Sequence, residues 1–146
     1  MRGVIMQPHY LPWLGYFELI SKADIFVFYD HVQFEKQSWQ QRNRILSIQG
    51  QILMLTIPVK KETGLARKIN EVSIDLSSNT LDKHLSSIKM NYSKCDYFDV
   101  IFPELEEIYK RKIGKLLDFE SAIITWAIQK WKFAVKVVYS STLQVQ

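Results

Sequence analysis

Two short clusters hold most of the side chains in this sequence that could perform chemistry. The first is Gln7-Pro8-His9-Tyr10-Leu11-Pro12-Trp13-Leu14-Gly15-Tyr16. The second opens with Asp30-His31-Val32-Gln33 and continues through Lys36, Trp39, Arg42, Asn43 and Arg44. Lys36 and Arg44 offer cations to a phosphate or carboxylate, which Arg can grip through two parallel hydrogen bonds. Tyr10, Trp13 and Tyr16 offer faces on which a base or sugar can stack. Asp30 and His9 are the candidates for a general base. Each residue also has a structural alternative. Trp13 and Tyr16 can pack a helix, Asp30 can cap a turn, His9 can be structural, and Lys36 can be solvated.

What could bring the clusters together is a pair of buried strands. Residues 4–6 are a short apolar run that ends at Pro8, which lacks a backbone donor and cannot continue a central strand. Residues 25–29, Ile-Phe-Val-Phe-Tyr, are β-branched and aromatic throughout, the pattern of a central strand covered on both faces. A helix from about residue 13 to 22 separates them. Strand, helix, strand is the smallest right-handed crossover and makes the two strands parallel neighbours. Both clusters then leave the sheet at its C-terminal edge, where open α/β sheets bind ligands. That places His9, Tyr10, Asp30, Gln33, Lys36, Asn43 and Arg44 around one mouth. The start of the intervening helix would add backbone donors for an anion.

Further along, residues 44–48 and 52–59 predict a hairpin around Gln49-Gly50-Gln51. Residues 72–76 predict a short strand and residues 80–92 a helix. A second helix is expected to start at Phe102-Pro103-Glu104 and run to residue 112. A third is expected over 120–132 and a last strand over 134–139. The pattern predicts a single α/β domain over residues 1–146, with a mostly parallel sheet, helices on both faces and a Rossmann-like three-layer architecture.

Composition narrows the partners. The net charge of +4 is spread along the chain rather than gathered in one patch, which argues against nucleic acid and suits an anionic small molecule. Cys95 stands alone, so it forms no internal disulfide and is read as a reduced, partly buried thiol, consistent with a cytoplasmic location. The three histidines lack metal-ligand spacing. There is no Gly-rich phosphate loop or nucleophile elbow, and neither a metal nor a cofactor is expected. No apolar stretch is long enough to span a bilayer.

The run from Gln7 to Phe17 resembles the opening signature of WbqC-like proteins. Asp24-Ile25-Phe26-Val27-Phe28-Tyr29-Asp30, Val32-Gln33-Phe34-Glu35-Lys36, Arg42-Asn43-Arg44-Ile45, Ile57-Pro58-Val59, Lys83-His84 with Tyr92, and Ser140-Ser141 extend the likeness over nearly the whole chain. Family positions carried over are Gln7, Pro8, Tyr10, Pro12, Gly15, Tyr16, Asp30, Gln33, Lys36, Asn43, Arg44 and His84. The resemblance implies a role in O-antigen or related surface-polysaccharide biosynthesis. The expected activity is a transferase acting on a nucleotide-activated amino sugar or similar anion. The alternative is a non-catalytic binding or assembly partner in the same pathway. It also implies that the chain stops before a further helix and strand. The expected consequence is an exposed apolar edge that takes a second copy or a complementing chain. A fold-level analogy to nucleotidyltransferases, in the Gly15-Tyr16 helix start, says nothing by itself about function.

Overall fold

A computed structural model describes residues 1–61 and 67–143. In chain order the elements are β1 (Gly3–Met6), α1 (Leu14–Ser21), β2 (Ile25–Phe28), β3 (Arg42–Leu46), β4 (Ile52–Thr56), α2 (Thr80–Tyr92), α3 (Phe98–Lys110), α4 (Leu116–Lys130) and β5 (Lys136–Tyr139). β1, β2 and β5 form a three-stranded sheet in the order β1-β2-β5, and both pairings are parallel. The expected pairing of the two leading strands is therefore present. β3 and β4 form a separate antiparallel hairpin. Its turn carries Gly50 at φ 78, a left-handed conformation that glycine adopts without a Cβ clash.

The sheet has one covered face. Val4, Met6, Phe26, Phe28, Val137 and Tyr139 pack with Tyr16, Phe17 and Ile20 of α1 and Ile124, Ala127 and Ile128 of α4. On the other face Ile5 is 64% exposed, and Val27, though buried, belongs to neither core. The reason is topological. The strand order advances in one direction, so successive right-handed crossovers lay α1 and α4 on the same side. Two expectations are corrected here. β1 is an edge strand rather than a buried one, and the helices seen against the sheet are on one face rather than two.

α4 is the hub. Nine of its residues are buried, from Leu116 to Ile128, because it is clamped between two cores. Leu116, Phe119 and Ile123 face the core built from α2, α3 and the hairpin, while Ile124, Ala127 and Ile128 face the sheet. Apolar residues on two sides of the helix are what such a position requires.

α2 has its expected bounds. α3 begins at Phe98, one turn before the Pro103 start expected for it, because Phe98 stacks on Phe102 (4.7 Å, 17°) and extends the apolar face. α4 likewise starts earlier, since Leu116, Leu117 and Phe119 are core residues. Residues 72–76 make only isolated bridges, Ile74 to Val59 and Ser73 to Lys115. Cys95, expected to be partly buried, is exposed.

Candidate functional site

Three parallel strands end side by side, with Met6, Phe28 and Tyr139 in register. The residues that follow them, Gln7–His9, Asp30–His31 and Ser140–Ser141, therefore emerge along one edge of the sheet.

Asp30 is the centre of this edge. It is 1% exposed, yet its carboxylate is fully partnered. Ser140 Oγ donates to Oδ1 (2.9 Å), the Ser141 backbone N–H donates to Oδ1 (2.9 Å), and Ser141 Oγ donates to Oδ2 (2.5 Å). Burial pushes the carboxyl up, but the hydrogen bonds from Ser141 and Ser140 outweigh it, and the pKa lies below the ordinary carboxylate value. The Asp30 N–H donates back to Ser140 Oγ at 3.1 Å. His31 Nδ1 lies 2.7 Å from the same oxygen. A hydroxyl has one proton, and here Asp30 receives it. So the consistent arrangement has His31 donating from Nδ1, which leaves Nε2 with a lone pair. The His31 side chain is 44% exposed.

His9 is half-buried, and burial lowers its pKa, so the ring is held neutral. It lies 5.5 Å from the Tyr16 ring. Gln7 is tied down twice: its carbonyl accepts from Tyr16 Oη (3.0 Å), and its side-chain oxygen accepts from Gln40 Nε2 (3.0 Å). Gln40 is 2% exposed, and its own Oε1 accepts the Glu35 N–H at 2.8 Å. The Tyr10 N–H also donates to the Trp39 carbonyl at 3.0 Å. The turn bearing exposed Lys36 is thus pinned beside the end of β1. On its other side, residues 30–34 pair with 67–70 through Asn70 N–H to Asp30 O (3.1 Å), Ile69 N–H to Val32 O (2.9 Å) and Phe34 N–H to Arg67 O (2.7 Å). That strap sets exposed Gln33 opposite exposed Lys68.

Other members of the expected mouth go elsewhere. Tyr10 is fully buried in the helical core. Its hydroxyl lies 2.9 Å from His84 Nδ1 and 2.5 Å from the Tyr109 hydroxyl. Burial pushes the pKa of Tyr10 up and that of His84 down to about 4, so this network is neutral. Tyr16 is 1% exposed and packs α1 against Phe26. Tyr10 and Tyr16 therefore present no face to a ligand at the strand ends. Asn43 is a brace: its Nδ2 donates to the Tyr10 and Leu11 carbonyls (3.1 and 2.7 Å), holding the loop where Leu11 adopts φ 45. Arg44 stands on the outer face of the hairpin, 5.1 Å above the Trp39 ring. Pro12 helps line a cleft of about 480 Å³, almost wholly apolar, between α1, α3 and α4. Gly15 lies directly under the Trp13 ring, and a Cβ there would come within 2.1 Å of it.

Three site residues lay outside the sequence-derived set. Ser140 and Ser141 follow an apolar strand directly, the same signal that singled out Asp30, and His31 adjoins it. Glu120 also stood unremarked. It is fully buried in α4, neither carboxylate oxygen has a hydrogen-bond partner among the described residues, and burial pushes its pKa well up.

A three-stranded parallel sheet packed with helices, with a polar cluster at its C-terminal edge, makes this a mixed α/β protein. The chain belongs to the WbqC-like protein family, which matches residues 7–146. It is 38% identical over 105 residues to an uncharacterized protein of Mycobacterium tuberculosis, a match that covers 72% of this chain and 45% of that protein. The chain thus spans less than half the length of the curated relative it matches. No solved structure matches it. Among the described residues, no helix is long and apolar enough to cross a membrane.

Proposed function

We propose that the protein is a transferase of surface-polysaccharide biosynthesis. It binds a nucleotide-activated amino sugar, or a similar anion, at the C-terminal edge of β1, β2 and β5. The observation that carries this reading is the chain His31 Nδ1–H to Ser140 Oγ–H to Asp30, built from the ends of two adjacent strands. The locked, ionised Asp30 is a positioning residue. It orients Ser140, which orients His31, and His31 Nε2 is the base that takes a proton from the acceptor. His9, half-buried after β1 and with its pKa lowered by burial, is the second base candidate. Lys36, Gln33 and Lys68 sit on the two segments tied to this edge and suit the phosphates. Arg44 takes no part in this arrangement.

The test is calorimetric titration with UDP-N-acetylglucosamine, with UDP and free N-acetylglucosamine as controls. The reading expects binding by the nucleotide sugar and by UDP. Lys36→Ala should weaken it by about 1.5–3 kcal/mol, the range for hydrogen bonds to charged groups. His31→Ala should leave affinity nearly intact and remove turnover. A protein that binds neither nucleotide contradicts the substrate class. Binding without turnover, unchanged by His31→Ala, supports the second reading, a non-catalytic partner in the same pathway. That reading has one specific support, the complete engagement of the Asp30 carboxylate.

A further inference from the structure

From Lys36 to Lys61 the chain contains no Asp or Glu and has five cations, Lys36, Arg42, Arg44, Lys60 and Lys61. The β3–β4 hairpin lies within this stretch. Strand alternation sends Ile45 and Leu55 into the helical core and Asn43 to the Tyr10–Leu11 loop. The opposite face is left outward. Along it the register runs from Arg42 beside Thr56, through Arg44 beside Met54, to Leu46 beside Ile52, with Ile48 in the turn beyond. Polarity is therefore graded along the hairpin axis, with cations at the base and aliphatic side chains at the tip. The tip is open: Leu46 is 55%, Ile48 61% and Ile52 64% exposed. Exposed apolar groups gathered in this way mark an interaction surface.

The tip is also braced. The Leu46 N–H donates to Tyr92 Oη (3.0 Å) and the Ile48 N–H to Asn91 Oδ1 (3.1 Å). These bonds fix the hairpin to the C-terminal end of α2, where Met90 is 70% exposed. Trp39 stands at the base, 44% exposed, under the Arg44 guanidinium.

The gradient decides between partners. A protein interface is concentric, with an apolar centre inside a polar rim. A lipid surface is stratified: acyl chains first, then a belt favoured by Trp, then phosphates that attract Arg. The hairpin is graded rather than concentric, with an aliphatic tip and a base that holds Arg42, Arg44 and Trp39 together, and its lack of carboxylates suits an anionic leaflet. We propose that the β3–β4 hairpin docks the protein on an anionic membrane surface. The Leu46–Ile48–Ile52 tip enters the acyl boundary, Trp39 lies at headgroup level, and Arg42 and Arg44 engage the lipid phosphates. This is attachment to one leaflet and is independent of the chemistry at the strand ends.

The test is co-sedimentation of the full chain with phosphatidylglycerol-containing vesicles and with pure phosphatidylcholine vesicles. Binding is expected to the anionic vesicles alone and to weaken with salt. Arg42→Gln and Arg44→Gln should each reduce it about fivefold, the value of one cation near an anionic surface. The Ile48→Ser/Ile52→Ser pair should abolish it while leaving the circular-dichroism melt unchanged, since both side chains are exposed. Failure to sediment with anionic vesicles overturns the proposal, as does sedimentation that the hairpin variants do not change. Two other results also overturn it. One is a dimer in size-exclusion light scattering that the Ile48→Ser/Ile52→Ser pair dissolves while vesicles bind nothing. The other is retention by RNA, and not by vesicles, that is lost in the arginine variants.

Discussion

Asp30 and Glu120 are both carboxylates removed from solvent, yet the fold treats them in opposite ways. Asp30 sits where three strands end and is given three donors. Glu120 sits within α4 between two cores and is given none among the described residues. Burial alone would push both carboxyls up. Only the partners differ, and they bring the Asp30 pKa below the ordinary carboxylate value while burial pushes that of Glu120 well above it. Polar chemistry in this protein is therefore supplied by strand ends, where backbone and short hydroxyl side chains are available. The helical core supplies none, and its polar members, Tyr10, His84 and Tyr109, satisfy one another as neutral groups.

The largest effect expected from this contrast is at Asp30. Asp30→Ala strands three donors and should cost about 3–4 kcal/mol in urea unfolding. Because the folded pKa is depressed, the stability that Asp30 supplies is present above its unfolded value and is lost as the solution is acidified through the folded one. His84 comes next. The native state keeps its ring neutral down to about 4, whereas the unfolded chain takes up that proton near 6.5. Between those values unfolding takes up a proton, so stability should fall as pH drops through the window and level off below it. The loss should be at most about 3 kcal/mol, and a His84→Gln variant should lack this component when melting is followed against pH. The smallest effect has the opposite sign. Glu120→Met replaces an unpartnered buried carboxyl with an apolar side chain of similar length. It should raise stability at neutral pH by about 1–2 kcal/mol. The gain should shrink toward pH 4, where the unfolded chain also protonates its glutamate. A variant less stable than the parent would mean that Glu120 has a partner.

Much of this was legible in the sequence. The runs at residues 4–6 and 25–29 gave their strands and parallel pairing, and the spacing of Leu81, Leu85, Ile88 and Tyr92 gave α2. Pro8 and Asp30 mark where the first two strands release the chain. What was hidden depends on distant partners. Ser140 and Ser141 meet Asp30 across 110 and 111 residues, and no local pattern announces that pairing. Tyr10 and Tyr16 have the composition of a stacking platform, but both side chains are buried, and Tyr10 finds His84 74 residues away. β1 looked buried because its run is apolar, but its place at the sheet edge is set by the direction in which β5 joins. Arg44 follows Asn43 in sequence, yet strand alternation turns one outward and the other inward.

The central claim is that ligand chemistry belongs to the strand-end edge, and amide chemical-shift mapping tests it most directly. On titration of labelled protein with UDP-N-acetylglucosamine, the largest shifts should fall on residues 7–9, 30–31 and 140–141, with smaller ones at Lys36 and Lys68. The hairpin tip and the helical core should stay still. Shifts concentrated instead on Tyr97, Trp126 and Trp131, which line the apolar cleft, or on the β3–β4 hairpin, would contradict the account.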